Sequence, residues 1–281
     1  MTKKPDFYLV SVHKQPISTN SAVKEILDIP GRYAVVGLPC HLHGIRKAER
    51  ISKKLQRRIV LHLGLFCGWG TPFTGTEFVI HRKKLKRSEV KCVKYRGEGW
   101  PGSNTIELFN GENIREDYKK CWDRSLSAFK HNRCRYCHDH TAELSDISYG
   151  DAWLQEVVSK DQVGTNLIIV RNNRVAYLLR QMQLEGRIFL ASIERQKVIE
   201  SQHYCRWKKT GISTRIKLAG ILGKRVPVFG DSIFPPTTPL LLMEAVIEYF
   251  QMALASRKSL WWLLQLTSSL MDKVGIKKRP A

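Results

Sequence analysis

The sequence lacks the segments that mark a secreted or membrane-spanning protein. Residues Met1 to Asp6 contain no apolar run of the kind that a signal peptide needs. Of the most apolar late stretches, 239–255 is interrupted by Glu244 and Glu248, and 260–270 is too short to cross a bilayer. We therefore expect a cytoplasmic protein with no transmembrane segment.

A closed disulfide framework is also missing. The chain has seven cysteines, and an odd number does not pair completely. In the reducing cytoplasm cysteines stay thiols and are available to bind metals. Cys92, Cys121 and Cys205 stand alone in the sequence, so we expect them to be small buried hydrophobic residues.

Acidic residues are scarce relative to basic ones. The chain has 47 Lys and Arg against 25 Asp and Glu, a formal net charge of +22. Such a charge attracts nucleic acid, an anionic membrane or an acidic protein, and charge alone does not choose among them. The basic runs at 46–58 and 81–87 lack the interleaved aromatic residues of single-stranded nucleic-acid binders, which makes nucleic acid the less favoured partner.

The chain alternates between strand and helix patterns and then becomes mainly helical. Its 281 residues, 43% of them hydrophobic, are enough for one globular domain with an appendage. Apolar runs and turn signals predict strands at 33–37, 59–66, 90–95, 104–108 and 166–170, and a short apolar run occupies 7–12. Asn110-Gly111 predicts a hairpin turn before a further short strand. Caps and periodicity predict helices at 21–27, 45–52, 71–85, 175–184, 212–223, 240–255 and 258–273, and Gly186 is expected to end the helix at 175–184.

These patterns predict an α/β protein. We expect a mixed sheet core with a cysteine-rich loop, followed by a mainly helical C-terminal appendage. The predicted divisions are a short N-terminal segment at 1–30, the core at 31–205 and a basic helical extension at 206–281.

Four cysteines have the sequence context of a soft-metal site. Cys134 and Cys137 are three residues apart, so both sulfurs can bind one metal or cluster. Cys40 and Cys67 each follow a predicted buried strand and should emerge at strand ends, where sites assemble in open α/β sheets. Four thiols from three segments favour an iron-sulfur cluster.

Two other interpretations of these thiols stay open. The neighbouring His131, His138 and His140 could combine with the paired cysteines in a zinc site, although zinc ribbons usually draw on two compact paired motifs. Cys40 could instead be a nucleophile with His41 or His43 as its base, but adjacent residues on a turn rarely face each other productively.

A glycine-rich segment runs from Arg96 to Gly102. Its glycines would let the backbone approach a ligand closely, and Trp100 could stack on that ligand. The simpler interpretation is a hairpin loop anchored by its tryptophan, because short glycine patterns are weak signals.

Four motifs in order resemble the C-terminal region of the coenzyme F420 hydrogenase/dehydrogenase beta-subunit family. They are Gly37-Leu38-Pro39-Cys40-His41-Leu42-His43-Gly44-Ile45-Arg46-Lys47, Gly64-Leu65-Phe66-Cys67, the segment from Arg96 to Gly102, and Cys134-x-x-Cys137 followed by Ala142 to Trp153. The resemblance covers about residues 30 to 200. The order and spacing of four separate motifs make chance similarity improbable.

The resemblance implies an oxidoreductase subunit with a [4Fe-4S] cluster beside a flavin (FAD), which exchanges electrons with coenzyme F420 or another organic acceptor. The implied cluster ligands are Cys40, Cys67, Cys134 and Cys137. The implied flavin or substrate site comprises Arg96, Gly97, Gly99, Trp100 and Gly102. Gly150 and Asp151 would close the cluster loop, and no catalytic residue is assigned.

The chain departs from the family pattern in two places. Members carry a further N-terminal domain that helps to hold the flavin, whereas only about 30 residues precede the match here. The flavin site would then be incomplete, supplied by another subunit or lost. His41 also follows Cys40 where glutamine is more common.

The expected partner is an acidic electron-transfer protein such as ferredoxin, or another redox subunit. Related proteins of this family also look associated with cell-surface polysaccharide pathways, so the electron acceptor could be a sugar-linked intermediate. Two alternatives are a truncated non-catalytic module that keeps the cluster, and a zinc-stabilised nucleic-acid-binding protein.

Overall fold

The computed structural model describes residues 19–161, 163–229 and 236–273. The apolar run predicted at 7–12 lies outside these residues. The strands are β1 (Tyr33–Gly37), β2 (Ile59–Leu65), β3 (Val90–Lys94), β4 (Ser103–Leu108), β5 (Asn113–Asp117), β6 (Ile147–Asp151) and β7 (Asn166–Val170).

The helices account for most of the remaining chain. In order they are α1 (Thr19–Asp28), α2 (Pro39–Ile51), α3 (Lys53–Arg58), α4 (Phe73–Arg82), α5 (Tyr118–Cys121), α6 (Arg124–Ser127), α7 (Asn132–Arg135), α8 (Gln155–Val158), α9 (Asn173–Leu184), α10 (Arg195–Ser201), α11 (His203–Thr210), α12 (Ile212–Ile221), α13 (Pro239–Ala255) and α14 (Trp261–Lys273). Short 3-10 turns occupy Arg87–Glu89 and Lys258–Leu260.

The chain divides into two compact units, each built from separate segments. Unit 1 comprises 1–67, 141–150 and 168–190, and unit 2 comprises 68–140, 151–167 and 191–281. Neither unit is continuous in sequence. The predicted divisions after residues 30 and 205 stay a prediction.

A four-stranded sheet in the order β1-β2-β6-β7 forms the centre of unit 1. β1 pairs with β2 and β2 with β6 in parallel. At the β6–β7 pair, Arg171 N donates to Asp146 O at 2.8 Å and Ala152 N donates to Thr165 O at 3.0 Å. Those bonds join opposite ends of the two strands, which is the antiparallel pattern, so the predicted mixed sheet is confirmed.

The core of unit 1 lies between this sheet and α1 to α3. Its buried side chains are those of Ile26, Val35, Leu42, Ile45, Leu55, Ile59 and Ala142. Pro39 occupies the first turn of α2, where a missing backbone N–H costs nothing. The helix therefore begins at Pro39 and not near Ile45 as predicted.

Unit 2 contains an antiparallel sheet in the order β3-β4-β5. Its hydrophobic core joins α4 and β4 to the final helices, with Phe78, Ile106, Phe129, Trp261 and Leu264 among the buried side chains. The hairpin at Asn110-Gly111 and the helices over 239–255 and 261–273 agree with the sequence patterns. No single helix in the described part of the chain is long and apolar enough to cross a membrane.

Candidate functional site

Cys40 and Cys67 follow two paired strands of unit 1. Gly37 of β1 lies opposite Gly64 of β2 in the parallel ladder, and each cysteine comes three residues after its glycine. Both thiols therefore lie beyond the carboxyl edge of the same sheet, as the sequence predicted. Cys40 is exposed and lies in the first turn of α2, at the partly positive end of the helix dipole.

Gly150 packs against the residue that precedes Cys67. A Cβ at position 150 would overlap the ring of Phe66 and lie 2.8 Å from its Cβ. Phe66 N also donates to Tyr149 O at 2.7 Å. Glycine at position 150 thus allows β6 to approach the segment that carries Cys67.

Cys134 and Cys137 lie on one helical turn of unit 2. Cys134 is in α7, Cys137 follows the helix, and Cys137 N donates to Cys134 O at 3.4 Å. Gly70 N donates to Cys134 Sγ at 3.4 Å. Lys208 Nζ lies 3.4 Å from Cys137 Sγ and donates to Asp139 O at 2.7 Å. Each sulfur therefore has a positive or N–H donor beside it.

A buried ionic cluster connects this turn to the final helices. Lys130 Nζ lies 2.8 Å from Glu248 Oε1, and Arg135 Nε lies 4.0 Å from the same oxygen. The Arg135 guanidinium also lies over the ring of Tyr249, 3.3 Å from its centroid. Arg215 donates from Nε to Arg135 O at 2.8 Å. We call Lys130, Arg135, Arg215 and Glu248 the Glu248 cluster.

The charge of Glu248 persists because of these cations. Burial by itself would raise the pKa of Glu248, but Lys130, Arg215 and Arg135 together lower it to about 2. The side chains of Lys130, Arg135, Lys208 and Arg215 are all at most 8% exposed. Buried charges are stable only with partners of opposite sign, so an anionic group is favoured in this region.

The glycine-rich loop is anchored on Asp151. Arg96 Nη1 donates to Asp151 Oδ2 at 2.8 Å, and Trp100 Nε1 donates to Asp151 Oδ1 at 3.3 Å. Trp100 is only 8% exposed, and its ring packs against Trp153 and beside Gly164. Gly99 and Gly102 have φ values of 89° and 79°, which favour glycine.

Two further aromatic rings extend this anchor. The Trp153 ring lies 5.3 Å from that of Trp100 and is parallel to that of Tyr118, 5.8 Å away. The Arg96 guanidinium lies over Tyr118, 4.6 Å from the ring centroid. A partly exposed arginine on an aromatic platform can bind an anionic or planar ligand.

A buried glutamine joins Asp151 to the segment that follows the turn formed by Cys134 to Cys137, which we call the cysteine turn. Gln202 Nε2 donates to Asp151 O at 2.6 Å, and Gln202 Oε1 lies 3.0 Å from His140 Nε2. The side chain of Gln202 is 6% exposed. The two motifs of unit 2 are therefore parts of one hydrogen-bonded structure.

The predicted residues fall into three groups. Cys40, Cys67 and Gly150 belong to unit 1, whereas the cysteine turn and the loop anchored on Asp151 belong to unit 2. Across the described ranges, no three His, Cys, Asp or Glu side chains gather in a way that could hold a metal ion. The four-thiol ligand set stays a prediction.

The three histidines of the zinc alternative have separate surroundings. His131 N donates to Gly70 O at 3.1 Å, and burial beside Arg133 lowers its side-chain pKa. His138 packs edge-on against Phe229, 5.0 Å between ring centroids, while His140 contacts Gln202.

The prediction for the lone cysteines was partly wrong. Cys121 is buried, and burial raises the pKa of its thiol to about 11. Cys92 is exposed, because a register shift in β3 between Val90 and Cys92 lets Val90 and Val93 pack against the core instead. Cys205 is half-buried.

Several residues around the site carried no sequence signal. Lys208, Gln202 and Glu248 contact Cys137, Asp151 and Lys130, respectively, and each of these partners lies more than 50 positions away in the sequence. Trp153 lies at the end of the motif from Ala142 to Trp153, so the sequence analysis could have listed it as a candidate site residue.

The observed elements define an α/β protein with a mixed sheet. Residues 31–196 match the family described as coenzyme F420 hydrogenase/dehydrogenase, C terminus of the beta subunit. This match covers more than half of the chain. The protein therefore belongs to that family.

Individual relatives are distant. An uncharacterized protein of Methanocaldococcus jannaschii is 25% identical over 205 residues, which is 71% of this chain and 71% of that protein. The coenzyme F420-dependent sulfite reductase of the same organism is 24% identical over 219 residues, 71% of this chain but 32% of that enzyme. The F subunit of the F420H2 dehydrogenase of Methanosarcina mazei is 26% identical over 152 residues, 51% of this chain and 40% of that relative.

A solved structure is also similar. A chain of the F420-reducing [NiFe] hydrogenase complex from Methanosarcina barkeri matches with a TM-score of 0.47 and 14% identity, over 70% of this chain and 65% of that chain. The chain thus spans about a third to two thirds of the named F420-linked proteins it matches.

Gly102→Ala should loosen the glycine-rich loop. An added Cβ would collide with Gly97 O and lie 2.8 Å from Gly99 O, at a φ of 79°. We expect a loss of about 1–3 kcal/mol in the free energy of unfolding. Gly97→Ala is the matched control, since its Cβ would meet nothing within 4 Å. Urea denaturation checks both variants, and equal stability would contradict the described loop geometry.

Glu248→Gln should destabilise the protein in a pH-dependent manner. Removing the carboxylate leaves buried cations uncompensated, which costs about 3–5 kcal/mol near pH 7. The pKa of Glu248 is lowered from 4.5 to about 2 on folding, so the stabilisation is complete above pH 4.5 and disappears as the pH falls toward 2. The difference between wild type and variant should shrink over that range.

Denaturation at several pH values measures this difference directly. Glu185→Gln is a suitable control, because Glu185 is an exposed carboxylate paired with Arg187. A wild-type-minus-variant difference that stays constant from pH 5 to pH 2 would argue against the low pKa of Glu248.

Proposed function

We propose that this protein is an iron-sulfur redox subunit of the F420-linked type. Cys40, Cys67, Cys134 and Cys137 would bind one [4Fe-4S] cluster. Electrons would pass between this centre and coenzyme F420 or another organic acceptor, through a flavin. The acceptor could be a sugar-linked intermediate of polysaccharide metabolism.

The environment of the cysteine turn is the observation that carries the proposal. A cluster with four thiolate ligands is anionic, and N–H donors or cations near its sulfurs stabilise it. Gly70 N donates to Cys134 Sγ, and the buried ammonium of Lys208 lies 3.4 Å from Cys137 Sγ. The donor set therefore fits the cluster chemically.

The sheet edge of unit 1 supports the other two ligands. Cys40 and Cys67 follow paired glycines of adjacent parallel strands, so both approach that edge from the same side. Cys40 also lies in the first turn of α2, at the partly positive end of the helix dipole. These features support Cys40 and Cys67 as two ligands at one edge of the sheet.

The loop anchored on Asp151 is the proposed flavin or substrate site. Its residues are Arg96, Gly97, Gly99, Trp100, Gly102 and Asp151, with Gly150 at the preceding position. Arg96 would bind an anionic part of the ligand, and the open space beside Gly97 would admit it to the backbone. A cluster exchanges single electrons and a flavin one or two, so the pair links electron transfer to hydride transfer.

The proposed partners are other redox subunits. One relative is named as a component of F420H2 dehydrogenase, and another similar chain belongs to a hydrogenase complex. The net charge of +22 would also steer an acidic carrier such as ferredoxin in the cytoplasm. Such steering weakens as salt is added.

A second candidate function is a non-catalytic module that keeps the cluster. The low exposure of Trp100 favours it, because this ring packs against Trp153 and beside Gly164 and offers little surface to a flavin. Flavin binding separates the two functions, since a cluster without a flavin passes electrons only to another redox centre.

Anaerobic purification tests the proposal. We expect a brown wild-type protein with about four irons and equivalent sulfide per chain, as a four-thiolate cluster requires. Serine at any one of Cys40, Cys67, Cys134 or Cys137 should remove most of the iron. Bound flavin, together with flavin-dependent reduction of F420, would show that the protein also acts as an enzyme.

Cys92→Ser is the matched control, because Cys92 is an exposed thiol of β3. Its iron content should equal that of wild type. A colourless protein with about one zinc per chain would instead support a structural zinc site and overturn the redox role.

A further inference from the structure

The last two helices of unit 2 present an apolar outer surface. On α13, every residue with a largely exposed side chain is apolar, and the larger ones are Leu240, Leu242, Met243, Val246 and Phe250. On α14, Trp262, Leu266 and Leu270 follow one another at intervals of four residues and are 48–60% exposed. We call these eight side chains the outer stripe.

The opposite faces of both helices are already used. Leu254 of α13 and Trp261 and Leu264 of α14 belong to the core of unit 2, and Glu248 pairs with Lys130. Gln251 Nε2 donates to Ser268 Oγ at 3.4 Å, which fastens the helices together. The outer stripe therefore points away from the core and is not needed to fold the unit.

Basic residues border the start of α14. Glu77 forms ion pairs with Lys258 (Nζ to Oε2, 2.8 Å) and with Arg87 (Nη1 to Oε1, 3.7 Å). These ion pairs hold the exposed basic run after α4 close to the connection between α13 and α14. Lys84, Lys86 and Arg257 are exposed in the same two segments. Positive charge next to an apolar stripe is the combination that anionic lipid surfaces attract.

From this combination we propose that α13 and α14 bind the surface of an anionic membrane, with the outer stripe in contact with the acyl chains. The two helices together have the length and composition of a membrane segment but are bent by 119°. Glu248 and Gln251 on the inner face keep that face against the protein. The protein would thus lie on the bilayer and not cross it.

Lipid fits the outer stripe better than a protein partner does. Protein interfaces carry about one hydrogen bond per 100–200 Å², which requires polar groups among the apolar ones. The largely exposed residues of α13 offer no polar side chain. Both helices also lie beyond residues 31–196, so the surface is separate from the region that defines the family.

Vesicle flotation tests this proposal on the full chain. Wild type should float with vesicles of phosphatidylcholine and phosphatidylglycerol, and less with pure phosphatidylcholine or in high salt. The double variant Val246→Glu/Phe250→Glu should lose at least tenfold in binding. The control Leu184→Glu/Phe189→Glu alters two apolar residues of unit 1 that are even more exposed than Val246 and Phe250, and it should bind like wild type.

Tryptophan quenching locates the contact. All seven tryptophans lie in the described residues, and Trp262 alone has a largely exposed side chain. Lipids with brominated chains should quench wild-type fluorescence but not that of Trp262→Phe. Equal quenching of both would overturn the proposal.

Two other outcomes would also overturn it. One is the absence of flotation with anionic vesicles while the protein remains folded by thermal denaturation. The other is a lipid-independent dimer, seen by light scattering, that Val246→Glu/Phe250→Glu converts to a monomer. That result would assign the outer stripe to a second copy of the chain.

Discussion

The buried carboxylate of Glu248 is the charge on which the candidate site depends most. It lies 2.8 Å from Lys130 and 4.0 Å from Arg135, and Arg135 stands within the Cys134–Cys137 turn. Arg215 extends the cluster through its bond to Arg135 O. Helix α13 thereby fixes the position of the turn, although it lies outside the segment that matches the family. The C-terminal helices are thus structural support for the cysteine motif.

Asp151 has a comparable role for the glycine-rich loop. Its carboxylate binds Arg96 and Trp100, and its carbonyl accepts from Gln202, which also contacts His140. A single residue therefore connects the loop with the segment that follows the cysteines.

Local sequence patterns predicted the strands, turns and helix ends that depend mainly on neighbouring residues. The β-branched runs predicted β1 and β2, and Asn110-Gly111 predicted the hairpin between β4 and β5. Gly186 was expected to end α9, and its φ of 68° follows the end of that helix. The start of α2 was missed although Pro39 marked it. β6 was not predicted, since Ser148-Tyr149-Gly150-Asp151 has no alternating apolar pattern. Lys208, Gln202 and Glu248 could not be predicted, because contacts between distant segments leave no periodic signal.

The central claim is that the basic surroundings of Cys137 stabilise an anionic cluster which exchanges electrons. The most direct test is the midpoint potential of the cluster in wild type, Lys208→Met and Lys217→Met. Lys208 lies 3.4 Å from Cys137 Sγ, whereas Lys217 is an exposed lysine of α12 and controls for the change in net charge. A lower potential in Lys208→Met alone is the predicted result, since losing a nearby cation favours the oxidised cluster. Equal potentials in all three proteins would contradict the claim.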